Sequence, residues 1–220
     1  MNGKQSRPFR VRTRGPLACF TRPEMKVERV SYEVMTPSAA RGVLEAVLWK
    51  PAIRWHIHQI AVLAPIAWTS FRRNEVSSRM NIRRGDYFAD EDRAQRNTVA
   101  LKDVDYVITA SFAMTAQAGE EDSVRKFEEM FERRLERGQH FHQPYLGCRE
   151  FAAEVAPAPE QIQSAHQGVD RPLGLLFFDF EHDAEVVRPL FFDARLRNGI
   201  MHIPTIEEVR QQNDGSEASR

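Results

Sequence analysis

Apolar and polar residues alternate through FRVRTR at 9–14, setting Phe9 and Val11 against Arg10, Arg12 and Arg14, which predicts a strand. The period then lengthens. Ala40, Leu44, Val47 and Leu48 share one face of a helix expected over 37–49, where Thr36 reads as the N-cap and Pro37 occupies a first position that needs no N–H. Ile53, Trp55 and Ile57 alternate again, and Ile60 and Val62 resume on the next pleat, so a second strand carries a bulge at His58 and Gln59. Residues 72–97 lose both periods and predict a long mobile loop. Residues 104–114 alternate as a third strand, 123–137 form an amphipathic helix through Val124, Phe127, Phe131 and Leu135, and 147–155 close the sheet. The order is strand, helix, strand, strand, helix, strand, an α+β arrangement of the split-βαβ kind.

Past Val155 the pattern changes. Residues 156–171 are rich in Pro, Gln and Ala, and short strand-like runs follow at 173–181, 189–197 and 200–204, with Asn198-Gly199 as a turn signal between the last two. The expected organisation is a domain over 1–155, a small C-terminal β unit over 156–210 and a disordered tail over 211–220. No internal repeat is visible.

With 220 residues, 42% of them hydrophobic, the chain can bury one good core or one core and a smaller appended unit. No stretch approaches the roughly 20 apolar residues of a membrane span, and the basic, polar N-terminus has no apolar export segment, so a cytoplasmic protein without membrane contact is expected. Cys19 and Cys148 are too few for a disulfide framework or a zinc site, and reduced thiols are the default. His56 and His58 share a strand face two residues apart, but no nearby carboxylate or cysteine completes a metal set. Neither metal nor cofactor is expected.

The zero net charge conceals an asymmetry. Residues 1–84 carry 16 Lys and Arg against 5 Asp and Glu, and the remaining 136 residues carry 15 against 26. A basic half interleaved with Phe9, Phe20, Tyr32, Trp49, Trp55, Trp68 and Phe71 suits phosphate contact and base stacking. Arg22, Lys26 and Arg29 lie on a loop opened by Pro23 that feeds a helix N-terminus carrying Arg41, the layout of an anion site. Arg72, Arg73, Arg79, Arg83 and Arg84 populate the long polar segment, where Asn74 adds a base-edge donor and acceptor. These groups fit a single-stranded nucleic acid better than a duplex, or alternatively a solvated surface.

Several phrases together carry a more specific likeness. TRPEMKVERVSY, TPSAARG and WKPAIRW, then RRNEV at 72–76, LKDVDYVI at 101–108 and QPYLGCREF at 143–151, resemble in sequence and in order the d-type of the "Cas-five" family, a type I-C CRISPR-associated subunit of Cascade. The resemblance spans most of residues 9–204. It implies a ferredoxin-like (RRM-like) fold, binding of the CRISPR repeat RNA, metal-independent cutting of the precursor transcript and retention of the 5′ handle in the effector complex. The implied partners are that handle and the backbone and large subunits of Cascade; contact with a target DNA duplex is left open. The alternative is a handle-binding scaffold that does not cut.

Metal-free RNA cleavage needs a base near the 2′-OH, a cation at the phosphorane and an acid for the leaving 5′-oxygen. By resemblance, members that cut carry a polar ring residue just before the Trp-Lys-Pro and a Lys-His pair in the second helix. Here those positions read Leu48 and Lys126-Phe127. Both replacements fall in phase with the apolar stripes, which predicts core positions. Lys126 is the remaining candidate for phosphorane stabilisation, or a solvated lysine beside glutamates. His140 and His142, flanking Phe141 after the second helix, are candidates for base or acid, or for phosphate hydrogen bonding.

Overall fold

Among the described residues, eight strands join one antiparallel sheet, with two helices against one of its faces. The computed structural model describes residues 5–25, 27–78, 88, 90, 92–182 and 187–217, excepting the side chains of 182 and 214–217. Among the described residues the elements run β1 (Phe9–Ala18), α1 (Pro37–Val47), β2 (Ile53–Val62), β3 (Trp68–Val76), β4 (Arg93–Met114), α2 (Val124–Glu136), β5 (Glu154–Pro157), β6 (Asp170–His182), β7 (Val187–Arg197), β8 (Ile200–His202) and α3 (Ile206–Glu217). The strand order is β5-β1-β4-β2-β8-β7-β6, with β3 paired to β4 off that path. This is an α+β protein built on an antiparallel sheet. No described helix is long and apolar enough to cross a membrane.

Local sequence explains the first half. The Thr36 hydroxyl accepts from the Ala39 N–H at 3.2 Å, and Pro37 starts α1. Ser123 caps α2 in the same way through the Lys126 N–H at 3.3 Å. The β2–β4 register slips between Ile57 and Gln59, the bulge expected at His58. Phe9, Trp55, Phe112 and Phe131 form the aromatic centre of the core, with Trp55 and Phe131 centroids 4.7 Å apart and Phe9 and Phe131 5.0 Å apart. Phe127 joins edge-on to Phe112 at 6.4 Å.

The segment read as a mobile loop over 72–97 begins and ends in paired strands. Trp68 to Val76 pairs residue for residue with Leu101 back to Arg93. Exposure alternates along β3, yet polar side chains occupy both faces of this two-stranded arm, so no apolar period marks it in the sequence. The C-terminal meander joins the same sheet, because β8 pairs with both β2 and β7. Asn198 and Gly199 make its turn with φ of 51° and 78°. Residues 211–217, expected as a tail from their polarity, instead continue α3. Val209 is buried, and the Asn213 amide accepts from the Phe191 N–H at 3.3 Å and donates to its carbonyl at 2.7 Å, which fastens the helix to β7.

Folding also changes the charge asymmetry. Arg7 meets Glu132, Arg12 meets Asp105, Arg14 meets Glu154 at 2.7 Å, and Arg41 meets Asp179. The basic first half is thus partly neutralised by acids from the second.

Candidate nucleic-acid interface and catalytic groups

The hairpin arm separates the predicted arginines by function. Along β3 one face exposes Trp68, Ser70, Arg72, Asn74 and Val76, while Thr69, Phe71, Arg73 and Glu75 turn toward the body. The register sets Arg72 beside Asn97 and Asn74 beside Gln95. The outer face therefore gathers a guanidinium and three amides, with Trp68 42% exposed at its base. Arg72 and Asn74 make no side-chain bond within the described residues, which leaves their donors free for phosphate or base edges. Gln95 and Asn97 escaped the sequence reading because their strand was taken for loop; the alternation opposite β3 was the available signal.

Arg73 and Arg29 are differently placed. Arg73 donates Nε to Thr98 Oγ1 at 2.6 Å and pairs with Glu75 at 2.5 Å. Arg29 donates to Glu150 at 2.7 Å, lies 3.6 Å from Glu75, and holds a strained φ of 26°. Phe71 meets Phe151 edge-on at 6.1 Å beside this network. Arg73 and Arg29 therefore brace the arm against the loop carrying Glu150. Arg41 is committed to Asp179 on β6, and Arg22 lies over the Tyr32 ring at 5.0 Å. Lys26, Arg79 and Arg83, together with Arg84, lie outside the described residues.

The second group of candidates surrounds the C-terminal end of α1. Leu48 is its C-cap: its N–H donates to Leu44 O at 2.9 Å, its carbonyl accepts from Trp55 Nε1 at 3.3 Å, and its side chain is fully buried. Phe127 is 2% exposed. Both are core residues, as their phase predicted. The carbonyls that end α1 are claimed from elsewhere. Ala46 O accepts from the N–H groups of Phe141 at 2.7 Å and His142 at 3.3 Å, and Val47 O accepts from Arg134 Nη1 at 2.9 Å. The loop after α2 is thereby fixed to α1.

This docking brings His142 close to Glu45. Desolvation, reinforced by Asp179, raises the Glu45 carboxyl above its ordinary range, against the pull of Arg41, Arg54 and His142. The His142 ring stacks on Tyr145 with centroids 6.3 Å apart, and its Nδ1 lies 3.2 Å from Gln143 O. Phe141, 66% exposed, and Trp49, 52% exposed, offer two flat apolar surfaces beside these groups. His140 is exposed on the same loop.

Lys126 lies in the first turn of α2. Its Nζ pairs with Asp122 at 3.0 Å and reaches Glu121 O at 3.5 Å. The Lys126 hydrogen bond, joined by the Gly119 N–H and the charge of Lys50, holds the Asp122 carboxyl below its usual range. Lys126 lies eight residues before Arg134, about 12 Å along the helix. No direct contact joins it to His140 or His142. Glu45, Tyr145 and Arg134 were not singled out in the sequence, since only the docking of the loop on Ala46 brings them together. His56 and His58 are both exposed on β2, and His58 Nε2 lies 2.7 Å from Ser111 Oγ.

An antiparallel sheet with helices on one face, a hairpin arm and a C-terminal meander is the fold of a known CRISPR-associated protein, whose crystal structure matches with a TM-score of 0.74 over 95% of this chain and 97% of that one at 24% identity. A streptococcal protein of uncharacterised function, SMU1763c from Streptococcus mutans, matches with a TM-score of 0.73 over 94% of this chain and 97% of that one at 23% identity. The chain belongs to the Cas5d family of CRISPR-associated proteins, whose model matches residues 9–204. Relatives named CRISPR pre-crRNA endoribonuclease Cas5d are similar over nearly their whole length. The one from Mannheimia succiniciproducens is 44% identical over 92% of this chain and 98% of its own, and the one from Thermus thermophilus is 40% identical over 89% and 91%.

Proposed function

We propose that this protein cuts precursor CRISPR RNA without a metal and keeps the 5′ handle of its product within Cascade. The reading rests on its likeness to named pre-crRNA endoribonucleases. The observation in the site that carries it is the pair of N–H bonds from Phe141 and His142 to Ala46 O, which holds an imidazole at the end of α1. That is where the family resemblance calls for a polar ring and Leu48 supplies none. His142, an exposed imidazole, exchanges the proton at the 2′-oxygen or the 5′-oxygen, and Lys126 and Arg134 stabilise the phosphorane. Attack of the 2′-oxygen on its own phosphate breaks the P–O5′ bond, leaving a cyclic 2′,3′-phosphate and a 5′-hydroxyl.

The run β5-β1-β4-β2, with α1 and α2 as the two crossovers, supports a ferredoxin-like (RRM-like) reading of residues 1–155. Residues 156–210 form its β extension. The hairpin face of Arg72, Asn74, Gln95 and Asn97 binds the single-stranded handle, and Arg22, with Lys26, Arg79 and Arg83, contributes positive potential, while Arg29, Arg41 and Arg73 act through their carboxylate partners to hold the fold behind that face. The backbone and large subunits of Cascade are the protein partners, in the cytoplasm.

Incubation of purified protein with its cognate repeat RNA in EDTA tests the reading. Cleavage leaving a cyclic phosphate is expected; salt-sensitive binding without cleavage would overturn the nuclease assignment. A non-cutting handle scaffold is the second reading, favoured by the burial of Leu48 and Phe127 where proton-transferring side chains are expected.

A further inference from the structure

The chain's two cysteines, 129 positions apart, meet where the loop before β5 touches the end of β1. Cys19 directly follows β1, and its N–H donates to Leu146 O at 3.0 Å. Gly147, with φ of 84°, lies so close to Cys19 that a Cβ there would fall 2.0 Å from the Cys19 carbonyl oxygen. Only glycine permits this approach. The next residue then places Cys148 Sγ 3.6 Å from that same oxygen, which brings the two cysteines together. Cys19 is buried, and Cys148 is half-buried.

A cation completes the arrangement. Arg29 Nη1 lies 3.7 Å from Cys148 Sγ, held there by Glu150 at 2.7 Å. The neighbouring Cys19 side chain, helped by Arg29 and Thr21, lowers the Cys148 thiol against burial and the Glu150 charge. The Cys148 side chain and burial push the Cys19 thiol up. Cys148, the more accessible sulfur and the one beside the Arg29 guanidinium, is thus the nucleophile, and buried Cys19 is the resolving partner.

We propose that Cys148 and Cys19 form an oxidation site that takes hydrogen peroxide and closes to an intramolecular disulfide. The Cys148 thiolate attacks one peroxide oxygen, the O–O bond breaks, and the departing hydroxide is protonated to water, leaving a sulfenic acid on Cys148. The Cys19 sulfur then attacks Cys148 Sγ and the S–OH bond breaks. The hydroxide leaves with the Cys19 proton as a second water. Two thiols lose two electrons in total, and one peroxide gains them. Reducing cytosol returns the pair to thiols, so the bond is a transient state. The disulfide ties the loop carrying Glu150 to β1 and removes the thiolate facing Arg29.

The test treats the full-length protein with hydrogen peroxide at pH 7 and follows intact mass and non-reduced peptides. The expected product has lost two hydrogens, joins the Cys19 and Cys148 peptides within one chain and reverts with dithiothreitol. Cys19→Ser, checked for native fold by circular dichroism, should stop at a sulfenic acid that dimedone traps on Cys148. Cys148→Ser should leave Cys19 reduced. Trapping at Cys148 should run roughly tenfold faster in the folded variant than in the same variant unfolded by urea. Equal rates in the two states, linkage only between chains, or overoxidation of Cys148 in the unmodified protein without a bond to Cys19 would each overturn the proposal. None of these readouts involves RNA.

Discussion

Arg41 of α1 places both terminal guanidinium nitrogens on the carboxylate of Asp179 in β6, clasping the first helix to the C-terminal meander. Both side chains are mostly shielded, at 28% and 17% exposure, so neither end is a freely hydrated charge. The role is structural, although a cation at a helix N-terminus reads in sequence as a phosphate ligand. Arg41→Ala leaves Asp179 without its partner and is expected to cost about 1–3 kcal/mol of stability. Thermal unfolding of Arg41→Ala, Asp179→Asn and the double variant checks this, the double variant being less destabilised than the sum of the two.

Arg72 and Asn74 belong to the opposite case, because their side chains face solvent with no protein partner among the described residues. Substituting either by alanine should shift stability by less than about 0.5 kcal/mol. Arg72→Ala should also lower RNA affinity and reduce the slope of log affinity against log salt by about 0.7, the loss of one phosphate contact to a single strand. Filter binding across a salt series measures it. Asn74→Ala should weaken binding with the slope unchanged.

Leu48 and Phe127 stand where the family resemblance expects reacting groups, yet restoring those groups should not restore chemistry. Leu48 is fully buried and Phe127 nearly so. Leu48→Tyr overpacks the core, and Phe127→His buries an imidazole against Phe112, each at about 1–3 kcal/mol. A lower melting temperature with no gain in cleavage rate is the expected result, read by calorimetry and single-turnover kinetics.

Much of this was legible before the fold was known. Thr36-Pro37 announces α1 through capping chemistry, Asn198-Gly199 announces the β7–β8 turn, and the break in alternation at His58 announces the β2 bulge. Such signals act within a few residues. The hairpin arm was hidden because a two-faced polar ribbon has no apolar period, and α3 because Val209 and Asn213 fasten a helix that is otherwise polar. Arg29 and Arg41 looked free because their carboxylate partners Glu150 and Asp179 are distant in sequence, and Arg73 because its pairing with Glu75, two positions on, shows only once the segment is a strand. His142 was named as a candidate from its residue type alone, and its neighbours Glu45 and Arg134 depend on the loop reaching Ala46 O, a backbone contact that no side-chain pattern encodes.

Glu45 carries a pH signature. Its folded-state carboxyl is raised, chiefly by desolvation, so the folded protein holds this proton more firmly than the unfolded chain. The stability associated with that proton is present below the unfolded value and is lost as pH rises through the folded one. Glu45→Gln should therefore raise the melting temperature at pH 7, and the advantage should disappear in acid below the ordinary glutamate range. Melting curves from pH 3 to 8 read the effect; an unchanged difference across that range would place its cause outside this titration.

The most direct test of the site is the single-turnover rate of repeat-RNA cleavage in EDTA by the unmodified protein, His142→Ala and Lys126→Ala, with RNA affinity measured on the same samples. The account predicts that His142→Ala loses about 10²–10⁴ in rate while binding RNA as tightly as before. A His142→Ala protein that cuts at the unmodified rate would contradict it.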